Sequence, residues 1–362
     1  MRTLAQATES QDNNLTLLRL VAALAVLYYH CYPLAIGRNA HDPISFWLFE
    51  NVKIGLGGLA VGLFFAVSGF LVTASYVNRD SIFAFVEARA LRIFPGLFVA
   101  VLFCVLLVGP LATTLQLGDY FSDARTWRFL ASNTALIYGI QYRLPGVFEG
   151  NPFGPAVNGS LWSLPVEVWM YSWVAIVGAL GVLKERSVFN GVFFIGVLVY
   201  LAAPEKFPIT QVDGSIRNPL FFLIGSFFYV NRHYLPLNFP ALLIVSLAML
   251  VWQYFGSAGI VSVTIYISYL IFYVAYFPPL FALRAGRFGD ISFGIYIYAF
   301  PVQQIIAHYF IDVSPMSMFA LSLPVTLVLA FGSWWLIEKP ALRLKGKIPI
   351  GRRFLDSRVT GL

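Results

Sequence analysis

Ten apolar runs, each close to the length needed to cross a bilayer as a helix, occupy most of this 362-residue chain. In hydrocarbon no water can satisfy a free backbone N–H or C=O, so a segment of about 20 apolar residues is restricted to helix. The runs fall near 15–36, 58–78, 90–110, 160–182, 188–203, 217–231, 237–255, 259–280, 291–311 and 318–338. The stretch FLASNTALIYGI at 129–140 is too polar for a span and reads as a partial or interfacial helix. The sequence therefore predicts an all-α polytopic membrane protein of about ten transmembrane helices. Its parts are a polar N-terminal segment 1–14, a membrane domain 15–340 and a basic tail 341–362.

Composition agrees with this. Hydrophobic residues make up 59% and charged residues 11%, against about 25% charged in soluble domains, and the mean hydropathy is +0.76. The first residues, MRTLAQATESQDNN, lack the basic-then-apolar build of a cleaved signal, so the first run is expected to remain as a span. Cys31 and Cys104 fall in apolar runs with no disulfide or metal spacing and read as packing residues. A net charge of +7 would point to nucleic acid in a soluble domain. In a membrane chain it points instead to lysine and arginine retained on the cytoplasmic side, and no nucleic-acid partner is expected.

With ten spans both termini share one side. If that side is the cytoplasm, the inner segments carry Arg2, Arg79, Arg89, Arg92, Lys184, Arg186, Arg232, Arg284, Arg287 and the seven cations from Lys339 onward, sixteen in all. The outer segments carry seven: Arg38, Lys53, Arg125, Arg128, Arg143, Lys206 and Arg217. The bias places both termini in the cytoplasm of a cell whose inner (plasma) membrane is the expected location, with the lipid bilayer as solvent. The longest connection, 111–159, is proline- and glycine-rich near its end and reads either as a binding element or as a loose outer loop.

Ionisable groups inside the spans mark function. Arg19 and His30 are eleven residues apart, about 20° past three full turns, so they share one helix face with roughly 16 Å between them. Arg89 and Arg92, at i and i+3, share a face at the inner end of the third span. Three guanidiniums at one depth suit phosphate, whose oxygens the planar fork binds bidentately. Glu167 is the one acidic residue well inside an apolar run. The helix rise puts it at about the depth of His30, where a carboxylate orients an imidazole and stabilises its protonated form. Gly58 and Gly62 form a small-xxx-small pair that admits a close neighbouring helix. Ser68 lies near the same depth and is free to bond either the dyad or its own i−4 carbonyl. Neither zinc spacing nor a GxSxG or Walker motif occurs, so no metal is expected.

The separation of the arginines from the His and Glu pair is on the scale of the pantetheine arm of coenzyme A. In order along the chain stand Arg19 and His30, the FFAVSGFLV block around Ser68, Arg89-Ala-Leu-Arg92, and Leu161-Trp-Ser-Leu-Pro-Val-Glu167 with Trp162 and Ser163. Ile291-Ser-Phe-Gly-Ile-Tyr-Ile-Tyr with Tyr296 and Trp334-Trp-Leu-Ile-Glu-Lys-Pro340 complete the set. From about 13 to 342 the chain thus resembles the acyltransferase-3 family of membrane-bound O-acyltransferases that act on carbohydrates.

That resemblance implies a ten-helix domain using acetyl-CoA or another short acyl-CoA from the cytoplasm. It implies a surface, exported or lipid-linked carbohydrate as acceptor on the outer side, in company with glycan synthesis or export machinery. It assigns essential roles to Arg19 and His30 and supporting roles to Arg89, Arg92 and Glu167, with Ser68, Trp162, Ser163 and Tyr296 as further supporting residues. Members that read WSLSVEE have a second acid where this chain has Val168, and many carry a histidine where Ala299 stands, so that histidine is not required here and the departure marks a subgroup with a different acceptor. The esterase domain fused to some members lies outside these residues. His30 is expected to act as general base oriented by Glu167, or alternatively to carry the acyl group itself. The rival class is a transporter of an anionic or acylated glycan precursor with His30 and Glu167 as proton relay. It lacks the matched pair of broken helices typical of such sites.

Overall fold

The computed structural model of the chain describes residues 2–9, 12–79, 81–136, 139–203, 217–255, 259–278, 280 and 285–347. Ten helices of 14 residues or more lie among them, at positions close to the ten apolar runs. They are α1 Leu15–Ile36, α2 Leu56–Val77, α3 Ile82–Phe103, α4 Ser163–Ala179 and α5 Arg186–Ala202. The remaining five are α6 Arg217–Val230, α7 Phe239–Phe255, α8 Ile260–Ala275, α9 Ser292–Tyr309 and α10 Pro315–Ser333. No strand occurs among the described residues, where pairing is limited to two isolated bridges.

Local chemistry sets several helix starts. Ser81 accepts the Ala84 N–H at 3.4 Å and opens α3. Ser314 accepts the Ser317 N–H at 3.1 Å ahead of Pro315, a proline in the first turn where its missing donor costs nothing. The cap at Ser81 starts α3 about two turns earlier than the apolar run does, which draws Arg89 and Arg92 into the helix proper. Both α3 and α10 continue through a π-helical turn, Cys104–Val108 and Trp334–Glu338, into a last short helical segment.

Among the described residues four helices are long and apolar enough to cross a bilayer by length and composition: Leu15–Ile36, Leu56–Val77, Ile82–Ala112 and Pro315–Leu342. The other six run from 14 to 18 residues. Many of their largest apolar side chains face outward, such as Ile195, Ile244, Leu250 and Trp252, each at least 60% exposed. A protein whose exterior is this apolar is solvated by lipid rather than water.

The interior is organised around α1, α2 and α9. Helix α1 packs on α2, α9 and α10, while α2 lies along the whole of α6. Of the expected pair, Gly58 does not serve a close crossing, since a Cβ there would meet only Ile54, whereas Gly62 does, since a Cβ there would lie 2.4 Å from the Phe221 ring of α6. Contact is closest about two turns beyond Gly62. A Cβ on Gly69 would lie 2.0 Å from the Phe222 carbonyl oxygen, and one on Gly225 would lie 2.1 Å from that of Ala66. These two glycines let the backbones of α2 and α6 touch, and α2 is thereby held with Ser68 facing the bundle centre.

The 111–159 connection is an ordered roof. It forms helices Leu117–Ser122 and Ala124–Ala135, the second covering most of the expected partial helix; residues 137 and 138 of that stretch lie outside the described residues. Beyond it the chain buries Leu144, Val147, Phe148 and Val157. Side-chain amides tie it to α9: Asn158 donates to the Ile297 carbonyl at 2.8 Å, Asn151 to that of Gln304 at 2.9 Å, and Gln304 to that of Ala156 at 2.7 Å.

Candidate active site

Two chambers open inside the bundle and abut one another. The inner one is bordered by Arg19 of α1, Ser68 of α2, Arg89 and Arg92 of α3, Ser163 and Glu167 of α4, and Tyr296 of α9. The outer one, about 580 Å³, is bordered by His30, Arg38, Arg143, Trp162, Tyr296 and Phe300 among others. Its volume is in the range of ordinary ligand sites, about 300–1,000 Å³. Val61 and Tyr296 border both chambers, and the Tyr296 hydroxyl is fixed by Ser163 Oγ at 2.7 Å.

The three arginines do converge, as their spacing predicts, but two of them are not free. Asp290, just before α9, receives Arg92 Nη2 at 2.5 Å and Arg19 Nη1 at 3.1 Å on the same carboxylate oxygen. Its other oxygen accepts Ser292 Oγ at 2.6 Å. Burial alone would raise this carboxyl, but the Arg92 and Arg19 guanidiniums outweigh that effect and hold it down at about 2. Glu338, on the π turn after α10, lies 3.6 Å from Arg92 Nη1 and accepts Ser333 Oγ at 2.9 Å. Arg89 has no ion pair among the described residues. Its guanidinium lies 5.7 Å from the Tyr171 ring centre, and its buried Nε has no hydrogen-bond partner.

The expected pair of His30 with Glu167 is not formed. Glu167 accepts the Tyr171 hydroxyl, one turn along its own helix, and Ser68 Oγ at 3.3 Å. Ser68 thus bonds the acid and not its own i−4 carbonyl. The helix rise led to an expectation of a common depth, but it does not fix which neighbours each side chain meets. Glu167 faces α2 and the inner chamber, whereas His30 borders the outer one, with Val61 and Tyr296 at the boundary. What holds the imidazole is packing: Phe300 meets it edge-on at 5.2 Å between ring centres and Tyr29 at 5.3 Å. Its Nδ1 is buried without a hydrogen-bond partner.

Arg19 and His30 therefore line two joined chambers rather than one cavity. Tyr296 sits where the chambers meet, Trp162 borders the outer one, and Ser163 and Ser68 border the inner one. Sequence reasoning missed Asp290, Glu338, Tyr171, Arg38 and Arg143. Two of these were within reach: Tyr171 is the i+4 neighbour of Glu167, and Glu338 is the acid of the WWLIEKP stretch. Asp290 gives no local signal, because its partners are about 200 and 270 residues away in sequence. No group of three or more metal-ligating side chains occurs among the described residues.

Fold and site together define a helical membrane protein with ionisable side chains gathered inside the bundle. The Acyltransferase domain of the acyltransferase-3 family matches residues 12–336. Among relatives, the "O-acetyl transferase" of Shigella phage Sf6 is 30% identical over 331 residues, covering 89% of this chain and 93% of that protein. "Nodulation protein 10" of Rhizobium leguminosarum bv. viciae is 30% identical over 377 residues, covering 94% and 96%. No solved structure gives a significant match. The chain belongs to the acyltransferase-3 family and is an O-acyltransferase.

Proposed function

We propose that the protein moves an acetyl or similarly short acyl group from cytoplasmic acyl-CoA to a hydroxyl of a carbohydrate displayed on the outer side of the inner membrane. The observation that carries this reading is the pair of abutting chambers, one lined by Arg19, Arg89 and Arg92 and the other by His30, with Tyr296 bordering both. The arginines fit phosphate oxygens, Arg89 as the cation without a carboxylate and Arg19 and Arg92 as forks positioned by Asp290. The acyl group then lies toward Tyr296 and the acceptor hydroxyl enters beside His30.

In the transfer step His30 takes the proton of the acceptor hydroxyl as its oxygen attacks the thioester carbonyl carbon. The tetrahedral adduct collapses by breaking the C–S bond, and the departing thiolate recovers the proton from the imidazolium. With no carboxylate bonded to the ring, the imidazolium is a transient that returns its proton directly. Glu167 does not orient His30 in this scheme; it fixes Ser68 and Tyr171 beside Arg89. The carbohydrate as acceptor is carried from the family resemblance and the named O-acetyl transferase relative. The test is incorporation of label from acetyl-CoA into cell-envelope glycan with and without the gene. Absence of a gene-dependent labelled glycan would overturn the reading.

The ten helices are read as ten spans with both termini in the cytoplasm, on the strength of the lysine and arginine bias. Glu149, exposed on the roof, is then outside and Lys345, exposed after α10, inside. Both native cysteines are buried, so single cysteines at these two positions report cleanly. In intact cells a membrane-impermeant maleimide is expected to label Glu149→Cys and not Lys345→Cys. The reverse pattern would invert the topology.

A further inference from the structure

The outer chamber carries charge that the transfer chemistry does not use. Arg38 and Arg143 stand at its rim, and no aspartate or glutamate is among the residues that line it. Neither arginine has an ion pair among the described residues. Both side chains belong to the sparse cationic set on the outer face, where lysine and arginine are disfavoured and two gathered at one opening call for a partner.

The Arg38 side chain is held by an aromatic ring, and Arg143 stands on a backbone segment that its neighbours tie down. Arg38 follows Gly37, the glycine with φ of 129° that ends α1, and its guanidinium lies over the Phe153 ring at 4.9 Å. Phe153 belongs to the roof segment that Asn151 and Gln304 tie to α9. Arg143 stands on the same roof between Tyr142, whose carbonyl accepts the Val157 N–H at 2.7 Å, and buried Leu144. A guanidinium stacked by its face on an aromatic ring keeps its N–H edge free, and that edge is the part that binds carboxylate or phosphate in a fork. Phe153, Trp162 and Phe300 add flat apolar walls to the same chamber.

We infer that the acceptor is an anionic glycan, its negative group held by Arg38 and Arg143 at the chamber mouth while the hydroxyl to be acylated reaches His30. The inference rests on the acceptor-side reading above. The anion is either the carboxylate of an acidic sugar or the phosphate that links a saccharide to its carrier; both offer two oxygens to the fork, and neither needs a change in the transfer step.

The test uses full-length protein in detergent and three probes: an oligosaccharide containing a uronic acid, the same oligosaccharide after carboxyl reduction, and a neutral-sugar glycosyl phosphate. Equilibrium binding is measured apart from turnover, so a failure of acyl transfer itself shows in the labelled acetyl-CoA assay and not in the binding data. At least one anionic probe is expected to bind about 10- to 100-fold more tightly than the neutral one, the range for hydrogen bonds to charged groups. That ratio is expected to fall toward one in R38Q and R143Q and to recover partly in R38K and R143K, which keep the charge but not the fork. Preference for the uronic-acid probe assigns the carboxylate, and preference for the glycosyl phosphate assigns the carrier link. Equal binding of all three probes, or a preference that survives the R38Q/R143Q double variant, would overturn the proposal.

Discussion

His30→Ala is expected to lower acyl transfer by about 10² to 10⁴, the usual worth of a positioned general base, while the protein still inserts into the membrane. The ring borders the outer chamber and is packed by Phe300 and Tyr29. It supports no hydrogen-bond network at Nδ1 whose loss would unravel the bundle. Glu167→Gln makes the contrast. The amide retains an acceptor for the Tyr171 and Ser68 hydroxyls, and no imidazole depends on it, so a loss of under about tenfold is expected, well short of a catalytic base. Labelled acetyl-CoA turnover at matched protein level reads both variants. Equal and large losses would mean that His30 and Glu167 act as one unit, and the two-chamber assignment of their roles would fail.

The second large effect is expected at Asp290. This carboxylate is shared by Arg19 and Arg92, and side chains in the cluster are only 13% to 23% exposed. Removing one partner of a buried pair strands the other charge and costs about 3–5 kcal/mol; the residual exposure here places Asp290→Ala near the lower end. The destabilised variant should then gain more from coenzyme A than the wild type does, because Arg19, left without an acid, and Arg92, left with Glu338 alone at 3.6 Å, accept phosphate oxygens in place of the lost carboxylate. Thermal midpoints in detergent, with and without coenzyme A, measure both effects. A variant that loses stability and gains nothing extra from coenzyme A would show that Arg19 and Arg92 serve the fold and not the donor phosphates.

Sodium chloride offers no substitute for that comparison, since buried pairs are screened far less than exposed ones. The informative variable is the anion that replaces the carboxylate. Arg89 should respond differently, because it already stands without an acid and its Nε lacks a partner.

The positions and approximate lengths of ten helices could be read from apolar runs, because in lipid an apolar segment has helix as its one way to satisfy its backbone. The convergence of Arg89 and Arg92 with Arg19 follows from helical period, and Ser163 and Tyr296 line the chambers as the motif resemblance implies. The expected meeting of Glu167 with His30 did not follow, since the two border different chambers. Helix α4 packs on α2 and α3, and across that contact Glu167 meets Ser68 of α2 rather than His30 of α1.

The sequence by itself therefore determined a helical membrane protein with cations and an imidazole held at two separate levels, because period and rise are properties of a single helix. Only the tertiary structure decided the partners: Asp290 between two arginines, Glu338 brought in by a π turn, His30 without an acid, and Arg38 with Arg143 at the outer mouth. Those pairings join residues far apart in sequence, and long-range contacts of that kind leave no trace in local periodicity.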